Sequence, residues 1–109
     1  MNIEFYVLSC VIISLFNLKF MDQFVLWGSY CEDALIKRKP FREEHLQRLS
    51  FLKKEGLLIT LGPTKCNRYV FGIFKSDDIE HIRALIKKDI YWREGIWTDF
   101  EIYSWIQAF

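Results

Sequence analysis

Residues Arg42–Pro63, REEHLQRLSFLKKEGLLITLGP, read in order as a helix, a stop, a strand and a turn. Phe41, His45, Leu46, Leu49 and Leu52 recur at about 3.6-residue spacing, which predicts one buried stripe on a helix that begins near Phe41. Glu43, Glu44, Gln47, Arg48, Lys53 and Lys54 fall on the solvent side. The acids come early and the lysines late, the order that the helix dipole favours. Gly56 supplies the left-handed residue that closes such a helix most easily. Leu57–Leu61 is then a strand, stopped by Gly62-Pro63.

Outward from this stretch the pattern continues. Asp22–Tyr30 (DQFVLWGSY) is rich in β-formers and nearly all apolar, which suits a central strand buried on both faces. Cys31–Lys39 breaks the pattern with charges and reads as a loop, and Pro40 stands where a helix can begin. On the other side, Thr64-Lys65-Cys66-Asn67 reads as the turn of an antiparallel hairpin whose second strand is Arg68–Lys75. Asp77-x-x-Glu80 has the form of a capping box for a second helix to Lys88, with Ile79, Ile82, Leu85 and Ile86 as its buried stripe. Asp89–Gly95 is a short irregular or helical turn. Trp97–Trp105 is a fourth strand with Phe100, Ile102 and Ser104 on one side.

The order βαββαβ defines an α+β, ferredoxin-like domain: a four-stranded antiparallel sheet with two helices on one face. The other face is left with residues such as Trp27 or Leu26, Tyr69 or Val70, and part of the Trp97–Trp105 strand. A sheet face this apolar calls for a partner, and pairing two such faces in a homodimer would cover both.

Composition bounds the function. A chain of 109 residues holds one domain. A net charge of +1 with interspersed acids and bases argues against affinity built on phosphate contacts. Arg68–Phe74 (RYVFGIF) has the aromatic character of an RNA-recognition strand, but the first strand offers no second motif, so no nucleic-acid partner is expected. Cys10, Cys31 and Cys66 form no CxxC pair, which reads as reduced thiols in a cytoplasmic protein. His45 and His81 lie on different helices without paired spacing, so no metal site is expected; without a Gly-rich phosphate loop or dinucleotide fingerprint, no cofactor is expected.

Residues 1–20 carry an apolar run, Phe5–Phe16, shorter than the roughly 20 residues a spanning helix needs. They also lack the basic start and small-residue cleavage site of a signal peptide. They read as an upstream extension, with a short apolar helix lying on the membrane or on the domain as the alternative; the domain at residues 21–109 opens at Met21 and is expected to have no membrane association.

Arg42-x-x-His45, Leu46, Leu49, Gly56, Gly62-Pro63, Asp89-Ile90-Tyr91 and Gly95 form an ordered set. Spread over about Met21 to Trp105, it resembles the YciI-like (YCII-related) family. Members usually have Asp-Pro-Tyr or Asp-Pro-Phe where this chain has Asp89-Ile90-Tyr91. The resemblance implies a ferredoxin-like domain that pairs as a dimeric α/β barrel. It also implies cofactor-independent chemistry of lyase, isomerase or dehydrochlorinase type on a small cyclic or phenolic anion. In that reading His45 moves the proton, Asp89 orients it and Arg42 holds the anion, while Gly62, Pro63, Cys66 and Tyr91 complete the substrate site.

Several alternatives stay open at the level of sequence. His45 can simply pack between helix and sheet, and Asp89 can simply cap the turn before Tyr91. Cys66 can pair with His45 as a thiolate and imidazolium. Family members often carry an aspartate in the pattern GP-x-x-D, and Cys66 stands at that position here. Its absence supports an alternative: a non-catalytic dimeric module that binds a small molecule or regulatory partner in the same cleft.

Overall fold

A computed structural model describes residues 21–109. The expected extension at residues 1–20 lies outside the described residues. The strands are β1 (Asp22–Tyr30), β2 (Leu58–Pro63), β3 (Tyr69–Ser76) and β4 (Trp97–Trp105). The helices are α1 (Ala34–Lys37), α2 (Arg42–Lys54), α3 (Ile79–Lys87) and α4 (Ile90–Arg93), with a 3-10 turn at Lys39–Phe41 before α2. All strand pairs are antiparallel, in the order β2-β3-β1-β4. This is the α+β ferredoxin-like sheet expected from the element order.

The alternation of β1 sets the layers. Phe24, Leu26 and Gly28 are buried under the helices, while Val25 and Trp27 point the other way. Across the register, Trp27 pairs with Phe71 and Glu101, and Val25 with Ile73 and Tyr103. Leu26, Val70 and Phe74 form the core with Leu52 of α2, Ile82 and Ile86 of α3, Tyr91 of α4, and Ile96 and Trp97. Within one copy β1 is therefore buried on one face only, and Trp27 remains 41% exposed.

The long helix ends as its sequence predicts. Gly56 has φ 79°, the Leu57 amide donates to the Leu52 carbonyl, and the Gly56 amide donates to the Lys53 carbonyl. These are the paired bonds of a Schellman cap. Four local expectations are corrected. Leu46 is exposed, on the side of the stripe that lines open clefts with Leu61 of β2. The region 31–39 holds the single turn α1, started by Asp33 at φ 56° and anchored by one buried residue, Ala34. The cap of α3 is Asp78, whose carboxylate accepts from the Glu80 amide, while the Asp77 carboxylate accepts from the Ser76 hydroxyl. β2 runs on through Gly62-Pro63, and as an edge strand it tolerates the missing proline N–H.

Candidate functional site

α2 carries His45 into the interior one turn after its start, where it is 3% exposed. α4 brings Asp89, its N-cap residue, to the same place at 1% exposure. His45 Nδ1 and Asp89 Oδ1 are 2.8 Å apart. The same oxygen accepts from the Tyr91 amide at 2.9 Å, so Asp89 caps α4 and meets His45 at once. Its other oxygen accepts from Arg48 Nη1 at 3.4 Å, and Arg48 Nη2 donates to the Leu85 carbonyl at 2.7 Å. With the Tyr91 amide and the Arg48 guanidinium both donating to it, this carboxylate serves as an acceptor. Facing that acceptor, His45 Nδ1 serves as the donor, which leaves Nε2 as the ring nitrogen open to a ligand.

The imidazole is also fixed by packing. It stacks on the Tyr91 ring with centroids 3.6 Å apart and 8° between planes, and meets Trp97 edge-on at 5.2 Å. Among the described residues, no protein group bonds Nε2. Beside it lies a cleft of about 130 Å³ lined by Tyr30, Arg38, Arg42, Leu46, Leu49, Leu61, Gly62, Pro63 and Tyr91 as well as His45. The Tyr91 hydroxyl is buried without a hydrogen-bond partner. Burial pushes its phenol upward, with the positive charges of Arg38 and Arg42 pulling back. Burial likewise pushes the Tyr30 phenol up, offset in part by the nearby Trp97 indole. Both phenols keep their protons at neutral pH and can donate to an anion.

Of the residues singled out in the sequence, His45, Arg42, Gly62, Pro63 and Tyr91 meet at this cleft, with Asp89 directly behind His45. Cys66 does not join them. It sits exposed in the β2–β3 turn and lines a separate cavity of about 530 Å³ with Cys31, Asn67 and Arg68. Its thiol lies 3.2 Å from the Thr64 hydroxyl, which holds its pKa below the ordinary thiol value, helped by backbone groups of the turn. His81 is exposed on α3 with Nδ1 3.1 Å from the Ser76 hydroxyl.

Sequence reasoning missed three residues. Arg48, assigned to solvent, is half-buried because its guanidinium reaches back to Asp89. Its position three residues after His45 placed it on the same flank of the helix and was the available signal. Arg38 and Tyr30 fell at the edges of an expected loop and strand, where periodicity says nothing about direction.

Residues 23–106 match the sequence profile of the YCII-related domain, and the chain belongs to that family. One solved structure with the same architecture is 5-chloro-2-hydroxyhydroquinone dehydrochlorinase (TftG) from Burkholderia phenoliruptrix AC1100, in complex with 2,5-dihydroxybenzoquinone. It is 17% identical, covers 79% of this chain and 95% of its own, and has a TM-score of 0.68. At that identity the likeness speaks to the fold. No curated protein sequence matches the chain.

Proposed function

We propose that the protein is an acid–base enzyme acting without a cofactor on a small cyclic or phenolic anion, with lyase, isomerase or dehydrochlorinase chemistry. The observation that carries this reading is the buried 2.8 Å contact between His45 Nδ1 and Asp89 Oδ1. A histidine needed only for packing has no use for a carboxylate partner held by an arginine and a backbone amide, since burying that set has its own cost. Asp89 fixes the tautomer and the ring plane and stabilises the imidazolium that forms when Nε2 takes a proton. In an elimination, Nε2 accepts a proton from the substrate ring, the released electron pair forms the new double bond, and the leaving group departs as an anion. In an isomerisation, the same imidazolium returns the proton to another atom. Arg42 holds the charge of the anion in either case. The pairing with Asp89 also answers the departure at Cys66, because an orienting carboxylate for His45 comes from α4. A cytoplasmic setting fits the free thiols Cys31 and Cys66.

The test is a set of substituted hydroquinones and hydroxyquinols, 5-chloro-2-hydroxyhydroquinone among them, followed by chloride release and by deuterium uptake in D2O. Turnover or exchange should fall by about 100-fold or more in His45→Asn, the scale of a lost general base. Wild-type activity that survives this substitution would sink the reading. A wild-type chain that binds such anions but neither turns them over nor exchanges their protons would establish the non-catalytic module instead.

We infer further that the protein works as a homodimer through the open sheet face. Trp27, Tyr69, Phe71, Tyr103 and Trp105 are each between 37% and 53% exposed, and Trp27 stacks on Tyr69 at 5.2 Å. The register puts these side chains on one face with Val25 and Ile73. An apolar, self-complementary surface of this kind fits a second copy better than water. Among the described residues no helix is long and apolar enough to cross a membrane.

A further inference from the structure

The cleft beside His45 holds more positive charge than one bound anionic group requires. Arg38 and Arg42 both line it, and none of its lining residues is acidic. Asp89, the buried carboxylate behind it, already pairs with Arg48. Neither Arg38 nor Arg42 has a carboxylate partner among the described residues. The backbone brings them together: Arg38 and Arg42 both have right-handed helical angles and bracket the 3-10 turn Lys39–Phe41. Two like charges four residues apart on a helical path repel each other, so the pair lowers stability unless something sits between them. A second, independent feature points to the same spot. Tyr91 is 1% exposed and lines the cleft, and its hydroxyl lies near the Arg42 side chain without a well-formed hydrogen bond to any group. A buried hydroxyl left unpaired is costly. The volume, about 130 Å³, is close to the cavity of about 150 Å³ that admits benzene, so one planar ring fills it.

We propose that Arg38 and Arg42 together select a planar ring bearing two anionic oxygens, one guanidinium to each, with the Tyr91 hydroxyl donating to one of them. This rests on reading the cleft as a ring-anion site, and adds that the preferred ligand is a dianion with Arg38 as the specificity residue. Single-anion rings satisfy Arg42 and leave Arg38 unpaired.

Squarate, a planar ring dianion at neutral pH, and its monomethyl ester, a monoanion of nearly the same shape, make a matched pair of probes for calorimetry on the full chain. Wild type should bind squarate at least 10-fold more tightly than the ester. Arg38→Gln should lower squarate affinity at least 10-fold while changing ester affinity less than threefold, and Arg38→Lys, which keeps the charge, should restore most of the preference. Equal affinity of wild type for the two probes, equal losses for both in Arg38→Gln, or no binding of either overturns the proposal. The catalytic reading fails separately: if squarate is preferred through Arg38 while His45→Asn leaves turnover intact, the dianion site stands and the acid–base role of His45 does not.

Discussion

The Tyr91 hydroxyl is the clearest case of stability set aside at a single residue. It is buried, has only the Arg42 side chain near enough to interact, in no well-formed hydrogen bond, and is attached to a ring that packs on His45. Tyr91→Phe removes a polar group that folding desolvates with only the Arg42 side chain in return, so it should stabilise the ligand-free protein by about 1 kcal/mol while weakening anion binding. The sign of the pH effect follows from the raised phenol. Burial lifts the folded value above that of the unfolded chain, near 10. The contribution is fully present below the unfolded value and is lost as pH rises from there through the folded value. Urea denaturation at pH 8 and at pH 10.5 should therefore show a gap between variant and wild type that widens at the higher pH. The Tyr30 contribution declines equally in both. A Tyr91→Phe variant less stable than wild type at pH 8 would mean that the Arg42 interaction outweighs the desolvation of the hydroxyl.

At this scale the sequence was readable only in part. His45 stood out as a lone histidine on an apolar stripe, but Asp89 lies 44 residues away, a separation that no local period can reach. It entered through the family resemblance. Arg48 was misplaced because helical spacing assigns a Cβ direction, and a long arginine can run from a solvent-side Cβ back to a buried partner.

Among the secondary-structure elements, what was legible tracks the length of the pattern. Helices α2 and α3 and the four strands each repeat an apolar spacing over several residues, so their existence and order follow from the chain. Turn α1 spans only Ala34–Lys37 and buries one small residue, too little to leave a period. The Asp77 and Asp78 choice depended on one backbone angle: Asp78 is extended at φ −145°, which aims its carboxylate at the Glu80 amide. Two glycines give the elements opposite sensitivities. A Cβ at Gly28 would lie 2.7 Å from the Asp99 carbonyl oxygen, 3.1 Å from Val70 Cγ1 and 3.2 Å from Phe100 Cβ. The first of these is backbone of the neighbouring strand, so β1 and β4 must separate. Gly28→Ala should cost about 2–3 kcal/mol, the scale of overpacking. Gly56 has open space around it and only its positive φ to defend, so Gly56→Ala should cost about 1 kcal/mol. Urea midpoints give the order, and amide shifts at Asp99 and Phe100 that move in Gly28→Ala alone identify the clash. Equal costs with unmoved β4 shifts would mean that the strands absorb the methyl group.

For the molecule as a whole, the open sheet face is the feature that one copy leaves unsettled. Its five large aromatics, at about 150–250 Å² each and roughly two-fifths exposed, present about 400 Å² per copy before the smaller neighbours are added. A standard interface takes about 800 Å² from each partner, so these side chains would form its centre and Val25, Ile73 and the polar rim the remainder. Phe71 lies on β3, an interior strand, opposite Trp27 of the other interior strand, hence within the face rather than at its edge. A glutamate there would bury a charge against its own symmetry mate, a repulsion that dimerisation cannot avoid. Phe71→Glu should convert the protein from dimer to monomer in light scattering at micromolar concentration. Its thermal midpoint should also lose the concentration dependence of an associating protein. Phe51→Glu is the matched control: Phe51 is 59% exposed, on α2, which covers the opposite face of the sheet. It should leave both readouts unchanged. Wild type that runs as a monomer at those concentrations would remove the homodimer, and would leave a broad aromatic sheet open to a different partner. The His45–Asp89 pair would be unaffected by that outcome, since every contact that holds it comes from one chain.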